Sequence, residues 1–263
     1  MKYTGHSKNY IDRHILFYGA FEKYILFFLR DVIKSLNPDG GIFVDVGANT
    51  GQHSLFMSKH AKTVHAVEPY DGVLQLFRGM IERNNIENIV VHPVGLGDEP
   101  GTVPFYEPPT TNQGTGSFIE GFKAKNKYLT ELKIVTGDSL FAGPEPLAID
   151  IMKIDIEGYE KPALVGLQET LATSRPMVVI EITIDAKLDI GFHSEKELRA
   201  VFPPDYEFFL FNKLKSHPVF GRYVLEPFTF DFDNERQEDI VAVPKEKMSH
   251  IRLTNPAQKI SAD

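Results

Sequence analysis

The chain has 263 residues, of which 42% are hydrophobic, a formal net charge of −8 and no cysteine. Its length is sufficient for one α/β core, so a single main domain is expected. The acidic balance disfavours nucleic acid as a partner, because binding a polyanion requires a dense surface of Lys and Arg. The absence of cysteine excludes disulfides, Cys-ligated zinc and a thiol nucleophile, and it favours a cytoplasmic protein.

An apolar segment near the start of the chain runs from Ile15 to Leu29 and contains Glu22 and Lys23. It is too short and too interrupted for a membrane span, and it lacks the small-residue cleavage site of a signal peptide. Apolar residues recur at helical spacing as far as Ile33, which predicts a buried amphipathic helix, with a membrane-surface helix as the alternative. The predicted organisation is a helical extension over 1–40, a main domain over 41–245 and a polar tail over 246–263, with the last 20 residues frayed.

Strands and helices alternate after a break at Asn37 to Gly41. The order β-α-β-α-β within about 55 residues predicts a parallel, doubly wound α/β sheet with right-handed crossovers. A short hairpin and a long loop follow between Gly95 and Lys133. The predicted Rossmann-like, mostly parallel sheet has seven strands, 42–46, 63–67, 89–94, 148–154, 177–182, 208–212 and 239–243, and its helices are 52–60, 72–84 and 159–173.

The most informative motif is FVDVGANTG, residues 43–51, in which a buried strand leads through a turn into a helix. Glycines at 47 and 51 let the backbone bend sharply and approach a ligand at the helix N-terminus. The spacing is not the G-x-G-x-x-G of dinucleotide-binding sites. Asp45 stands two positions before the first glycine, where its carboxylate would repel a pyrophosphate and attract an ammonium group.

A second acidic residue, Glu68, closes the next predicted strand, where a carboxylate can bind both hydroxyls of a ribose. The implied ligand has a ribose and a cationic amino-acid part but no phosphate, which describes S-adenosylmethionine (SAM). The alternative is that the glycine turn serves only tight packing between strand and helix.

The sequence resembles the FkbM family of methyltransferases in DVGANTG (45–51), AVEP (66–69), GLGDEPGTVPFY (95–106), KIDIEGYE (153–160) and VVIEI (178–182). The likeness spans about residues 40–185, together with Gly19 and Glu22 upstream. It implies a class I, SAM-dependent methyltransferase that O-methylates a hydroxyl of a sugar, a glycan or a polyketide-like small molecule. It also implies that Asp45, Gly47, Asn49 and Gly51 line the methionine part of the cofactor, Glu68 the ribose, and Leu96, Gly97 and Asp98 the adenine.

Carboxylates gather at the predicted carboxyl edge of the sheet, where ligands bind in open α/β folds. Asp155 and Glu157 follow one strand, and Glu181 lies on the next. They could accept the proton of an attacking hydroxyl or orient it, or hold a divalent cation, and Glu157 and Glu160 could instead cap the following helix. Lys153 alternates with apolar neighbours in a buried strand, so we expect it to pair with one of these acids.

The remaining candidates are less specific. His53 could approach the cofactor or lie exposed on its helix, whereas His65 and His92 fall within strands and are expected to be structural. No His pair has the spacing of a helical zinc site, and no metal ligand is predicted. The long loop is expected either to form a lid over the cofactor or to be a mobile surface loop. Its small polar residues are Asn112, Gly114, Gly116 and Ser117.

Two other functions are open at this level. An NAD-dependent oxidoreductase is disfavoured by the glycine spacing and by Asp45. A regulatory or scaffold protein that keeps the fold without activity is disfavoured by the joint presence of Asp45, Glu68 and Asp155. The sequence defines neither the acceptor nor the oligomeric state.

Overall fold

Among the residues that the structure describes, the main sheet has eight strands, in the order 225–227, 206–211, 236–244, 177–184, 151–154, 42–46, 63–67 and 89–92, and a small second sheet has the order 95–96, 128–135 and 101–106. The structure, a computed structural model, describes residues 1–5, 7, 9–106, 116–120, 127–184, 188–217, 220–229 and 236–255. The strands are β1 Ile42–Val46, β2 Thr63–Val67, β3 Ile89–His92, β4 Gly95–Leu96, β5 Gly101–Tyr106, β6 Tyr128–Val135, β7 Ile151–Ile154, β8 Met177–Ile184, β9 Tyr206–Phe211, β10 Leu225–Pro227 and β11 Arg236–Pro244. The helices are α1 Tyr10–Tyr18, α2 Lys23–Leu36, α3 Gln52–Met57, α4 Asp71–Arg83, α5 Gly137–Phe141, α6 Glu160–Val165, α7 Gln168–Thr173 and α8 Glu195–Ala200, followed by a 3-10 helix at Lys245–His250.

The doubly wound, Rossmann-like α/β fold predicted from the sequence is confirmed. Strands β8, β7, β1, β2 and β3 run parallel, and β11 lies antiparallel between β8 and β9. The count differs by one, because Leu225–Pro227 adds an eighth strand at the edge, antiparallel to β9. Three residues that end in proline carry no alternating pattern, so this strand has no signal in the sequence.

The central parallel strands β1, β7 and β8 are largely buried on both faces, and successive residues enter different clusters of the core. Val44 and Val178 contribute to the cluster that includes α6 and α7. Their neighbours Phe43 and Val179 contribute to the cluster that includes Phe28 of α2. The N-terminal helix α2 therefore shares the core of the main sheet.

The predicted buried amphipathic helix is confirmed as α2, but the apolar segment that starts at Ile15 forms two helices rather than one. Gly19 ends α1 in the left-handed conformation, with φ of 84°, and donates its N–H to the carbonyl of Ile15. A glycine adopts this conformation without steric cost, so it ends the helix in spite of the continuous apolar pattern. Only α2 has buried residues, whereas Leu16 and Phe17 of α1 are exposed.

The expectation of a frayed end over the last 20 residues is wrong for those that the structure describes. After the 3-10 helix, Thr254 forms a β-bridge with Val224, and Asn255 is buried. The Asn255 side chain accepts from the N–H of Tyr223 and donates to the carbonyl of Gly221. These two hydrogen bonds join residues distant in the sequence and hold a polar segment against the domain.

The predicted helix 159–173 is divided into α6 and α7 at Gly166. A Cβ at Gly166 would overlap the carbonyl oxygen of Gly97, so this glycine lets the two backbones meet. The lid residues Asn112 and Gly114 lie outside the described residues. Among the described helices, none is both long and apolar enough to cross a membrane.

Candidate active site

The turn after β1 lies at the carboxyl edge of the sheet and is shaped by Gly47. This residue has φ of 82°, and a Cβ on it would overlap the carbonyl oxygen of Asp155 in the turn after β7. Its N–H and that of Ala48 both donate to the carbonyl of Val67. The ends of three neighbouring strands therefore meet at one point, as the motif predicts.

Glu68 follows β2 at the same edge and is buried. Its two carboxyl oxygens accept from the N–H groups of Asn49 and Tyr70, each at 2.9 Å. Burial raises the pKa of Glu68 to about 7, although these two N–H groups lower it, and the nearby Asp45 adds to the rise. A carboxylate has about four acceptor positions, so Glu68 keeps acceptor capacity for a ligand.

Asp45 is 1% exposed and lies within β1. Its Oδ2 accepts from the Ser54 hydroxyl at 2.6 Å, while Oδ1 has no hydrogen-bond partner within the described part of the chain. Burial raises the pKa of this carboxyl. A buried acceptor without a partner is costly, so the site is suited to a group that donates hydrogen bonds.

A first cavity runs from the Gly47 turn along Glu68 to an aromatic wall. Tyr70 and Phe105 lie 5.0 Å apart between ring centroids, and Phe105 and Phe118 lie 5.9 Å apart. It is narrow, with a volume of about 60 Å³. The residues that line it are Gly47, Asn49, Glu68, Pro69, Tyr70, Val73, Phe105, Gly116, Phe118, Asp155, Ile156 and Glu157.

A second cavity, of about 200 Å³, adjoins the first and shares Gly47, Asn49, Asp155 and Glu157 with it. In its wall the Lys153 ammonium lies 2.8 Å from Asp155 Oδ2, which confirms the predicted pairing of this lysine with an acid. The other residues of the wall are Tyr10, Ile11, Phe21, Glu22, Ala48, Thr50, Gln52, His53, Glu181 and Gln237.

Glu181 and Glu157 meet across this cavity at the side-chain amide of Gln237. The Gln237 Nε2 donates to Glu181 Oε2 at 3.1 Å and to Glu157 Oε2 at 3.4 Å. Burial raises the pKa of Glu181 to about 10, and the carboxylates of Asp155, Asp239, Glu157 and Glu22 add to the rise. Glu181 is therefore protonated at neutral pH and can donate a hydrogen bond.

A family model described as the methyltransferase FkbM domain matches residues 45–202, which include the whole glycine turn and Glu181. The chain belongs to the FkbM methyltransferase family. Neither the oxidoreductase nor the scaffold alternative is supported by this match.

Two curated methyltransferases are similar to this FkbM-family chain. Methyltransferase 1 of Beauveria bassiana is 27% identical in an alignment of 203 positions that covers 66% of this chain and 80% of the relative. Hexuronic acid methyltransferase AglP of Haloferax volcanii is 28% identical over 158 residues, 58% of this chain and 62% of the relative. The solved bifunctional kinase-methyltransferase WbdD is similar in fold, with a TM-score of 0.50 at 11% identity. That likeness covers 92% of this chain and 44% of WbdD.

Within the FkbM-family site, several predicted residues lie away from the cavities. Leu96, Gly97 and Asp98 line neither of them. Asp45, Gly51 and Ser117 also line neither cavity, and a Cβ at Gly51 would overlap the Phe77 ring of α4. The role of the first three around an adenine stays a prediction, and the contact of Gly51 is with the core.

Ser117 and Glu160 act on the backbone of the loop between β7 and α6. The buried Ser117 hydroxyl donates to the carbonyl of Glu157 at 2.8 Å. Glu160 Oε1 accepts from the N–H groups of Gly158 and Ile156, so this residue, considered together with Glu157 as a helix cap, fixes the loop before α6 instead. Glu157 has φ of 52° and lines both cavities.

Sequence reasoning missed Glu22 and left His53 undecided. Both line the second cavity, and His53 Nε2 lies 3.6 Å from Glu22 Oε2. His53 is 8% exposed, so it is not the exposed helical residue that was one of its two predicted positions. The signal available for Glu22 was its place, with Gly19, in the family resemblance.

His65 and His92 lie outside the two cavities. They stack on each other, with 3.0 Å between Nδ1 of the first and Nε2 of the second. Across the described ranges, no group of three His, Asp or Glu side chains is arranged as metal ligands.

Proposed function

We propose that this chain is a SAM-dependent O-methyltransferase that binds SAM in the first cavity and a hydroxyl acceptor in the second. The observation that carries the proposal is Glu68, a buried carboxylate on the cavity wall with both oxygens held by backbone N–H groups. Its remaining acceptor positions suit the two hydroxyls of a ribose.

The methionine part of SAM is assigned to the glycine turn. Gly47 lines both cavities. The carbonyl of Asp155 leaves no room for a side chain at this position, so a ligand would meet the backbone of the turn. Asp45 lines neither cavity, so its carboxylate, with Oδ1 free of protein donors among the described residues, would attract the ligand's ammonium group by charge rather than by direct contact. Asn49 lines both cavities, and its backbone N–H fixes Glu68.

The adenine is assigned to the aromatic wall of Tyr70, Phe105 and Phe118. These rings line the cavity beyond Glu68, and stacking on aromatic rings accommodates a planar base. The narrowness of the cavity requires these side chains to separate when the base enters. Leu96, Gly97 and Asp98, implied by the resemblance, would reach the adenine only after such a movement.

Bound SAM supplies a sulfonium methyl group that a nucleophile can displace in line. Catalysis by the protein then consists mainly of placing the nucleophile and excluding water. Asp155 lines both cavities and is held by Lys153, so it is placed to accept the proton of an acceptor hydroxyl. Glu181, protonated at neutral pH, orients that hydroxyl by donating to it, and Glu157 completes the boundary between the cavities.

A sugar, glycan or polyketide-like hydroxyl is the proposed acceptor. The relative named as a hexuronic acid methyltransferase supports a carbohydrate among these choices. The second cavity supports a small polar acceptor, since most of its wall is polar side chain or backbone. Nucleic acid is not proposed, because the chain has a net charge of −8.

The test is methyl transfer from SAM labelled with 13C in the methyl group to a mixture of methyl glycosides, followed by NMR. We expect a new methyl carbon with the chemical shift of an O-methyl ether, and none with Asp155→Asn. A methyl group on nitrogen would contradict the proposal, as would full turnover by Asp155→Asn.

A further inference from the structure

The second cavity is distinguished by its charge. Within the described part of the chain, four of its lining residues carry a carboxyl group, and Lys153 is the one lysine or arginine among them. The four acids are Glu22, Asp155, Glu157 and Glu181.

The ammonium group of Lys153 already forms an ion pair with Asp155. Burial lowers the pKa of Lys153, but the carboxylates of Asp155, Asp45 and Glu22 outweigh burial and raise the pKa above its ordinary value. Lys213, a second lysine whose charge acts on Glu22 and Glu181, has its Nζ 3.0 Å from Asp239 Oδ2. Among the described residues of the wall, Lys153 is the available cation. If it paired with an entering anion, the carboxylate of Asp155 would lose its partner.

An unsatisfied polar atom marks this cavity as a binding site. His53 is buried, and its Nε2 has no hydrogen-bond partner among the described residues. Its nearest acid is Glu22, at 3.6 Å. Glu22 itself has a left-handed backbone, with φ of 48°, which is uncommon outside glycine and is typical of strained functional positions.

The carboxyl groups that line the second cavity raise one another's pKa. Burial raises the pKa of Glu22 to about 8, with a contribution from Asp239, and the pKa of Glu181 reaches about 10 for similar reasons. An anionic group in the cavity would add another negative charge to this cluster. An ammonium group would let Glu22 and Glu181 ionise next to it, and an uncharged hydroxyl can bind to them as they stand.

We propose that the second cavity takes an uncharged or amine-bearing hydroxyl acceptor and discriminates against a carboxylated one, with Glu22 and Glu181 favouring the amine and Asp155 and Glu157 disfavouring the carboxylate. The inference rests on the proposed function for the identity of the site. It separates this chain from the relative named for hexuronic acid, because a uronate would bring a carboxylate into an acidic wall.

The test compares three probes that differ in one substituent: methyl glucoside, methyl glucuronide and the amine-bearing methyl glucosaminide. Their dissociation constants are measured at neutral pH by NMR titration, with and without S-adenosylhomocysteine. We expect the amine to bind most tightly and the uronide at least about tenfold more weakly than the glucoside, which corresponds to about 1.4 kcal/mol.

The variants Glu22→Gln and Glu181→Gln should each weaken binding of the amine, because Gln cannot ionise beside an ammonium group, and should leave the uronide the weakest of the three probes. Glu207→Gln, an exposed acid of β9, is the matched control and should leave the ranking unchanged. Tightest binding of the uronide, or no binding of any probe, would overturn the inference. Failure of S-adenosylhomocysteine to bind would count against the proposed function instead, because the ranking of the probes is measured without it as well.

Discussion

Glu68 connects the chemistry of a single residue to cofactor binding, because its protonation state depends on its burial. The pKa of about 7 means that a fraction of the free protein carries a neutral carboxyl at neutral pH. Ribose hydroxyls donate to the ionised form, so binding of S-adenosylhomocysteine should release a proton below this pKa.

From this pKa we predict that affinity for S-adenosylhomocysteine rises about tenfold between about pH 6 and pH 8, in step with the ionised fraction of Glu68. Calorimetry in buffers of different ionisation enthalpy measures both the affinity and the proton release. Glu68→Gln should remove this pH dependence, whereas Glu82→Gln, an exposed acid on α4, should keep it. An affinity independent of pH in the unmodified protein would exclude this role.

The residues of the cofactor site could be predicted where they follow strand ends in the sequence. Asp45, Glu68 and Asp155 meet because the carboxyl ends of parallel strands share one edge, and this is a local property of each motif. Glu22 and His53 could not be placed in the same way. Their proximity depends on how α2 and α3 pack, and tertiary packing has no local pattern.

The turn between β1 and α3 is the element on which both cavities depend. Gly47 has no room for a side chain, because the carbonyl of Asp155 occupies that space. Gly79 offers a contrast within α4, since a Cβ there meets nothing within 4 Å.

We predict that Gly47→Ala lowers the free energy of unfolding and abolishes binding of S-adenosylhomocysteine, because the turns after β1 and β7 must separate. Gly79→Ala should instead raise the stability by about 0.5–1 kcal/mol, since alanine favours a helix interior over glycine. Urea denaturation and calorimetry measure the two effects. Equal behaviour of the two variants would show that the close approach at Gly47 has no role.

Element boundaries were predictable where periodicity changes abruptly, and Thr63–Val67 and Ile42–Val46 match the prediction in full. The two helices at the N-terminus show the limit of the approach. The apolar spacing continues across the boundary between α1 and α2, so it does not show where α1 ends. The left-handed backbone of Gly19 sets that end. The eighth strand was missed because its three residues carry no alternating pattern and are recognisable as a strand only from their pairing with β9.

At the level of the whole molecule, buried acids and buried histidines determine how stability depends on pH. Burial raises the pKa of Glu160 to about 8, as it does for Glu22, while Glu181 reaches about 10. Such groups ionise in the unfolded chain before they ionise in the folded one, so they reduce stability as pH rises above about 4.5. Burial lowers the pKa of His65 to about 4, so that histidine reduces stability as pH falls below about 6.5.

These opposite trends predict a maximum of thermal stability on the acidic side of neutrality and a decline of Tm towards about pH 9. Glu181→Gln should flatten the alkaline decline, because the folded state then has no proton to retain at that position. Differential scanning fluorimetry across the range tests this, with Glu207→Gln as the exposed control. A Tm that rises steadily from neutral to alkaline pH would contradict the assignment of protonated acids.

The central claim is that Glu68 holds the ribose of SAM in the first cavity. It is tested most directly by parallel calorimetric titrations of the protein and of its Glu68→Ala variant with S-adenosylhomocysteine and with NAD. We predict one-to-one binding of S-adenosylhomocysteine that Glu68→Ala weakens at least about tenfold, as expected for the loss of hydrogen bonds to a charged group, and no binding of NAD. Binding of NAD, or an affinity for S-adenosylhomocysteine that does not change in the variant, would contradict it.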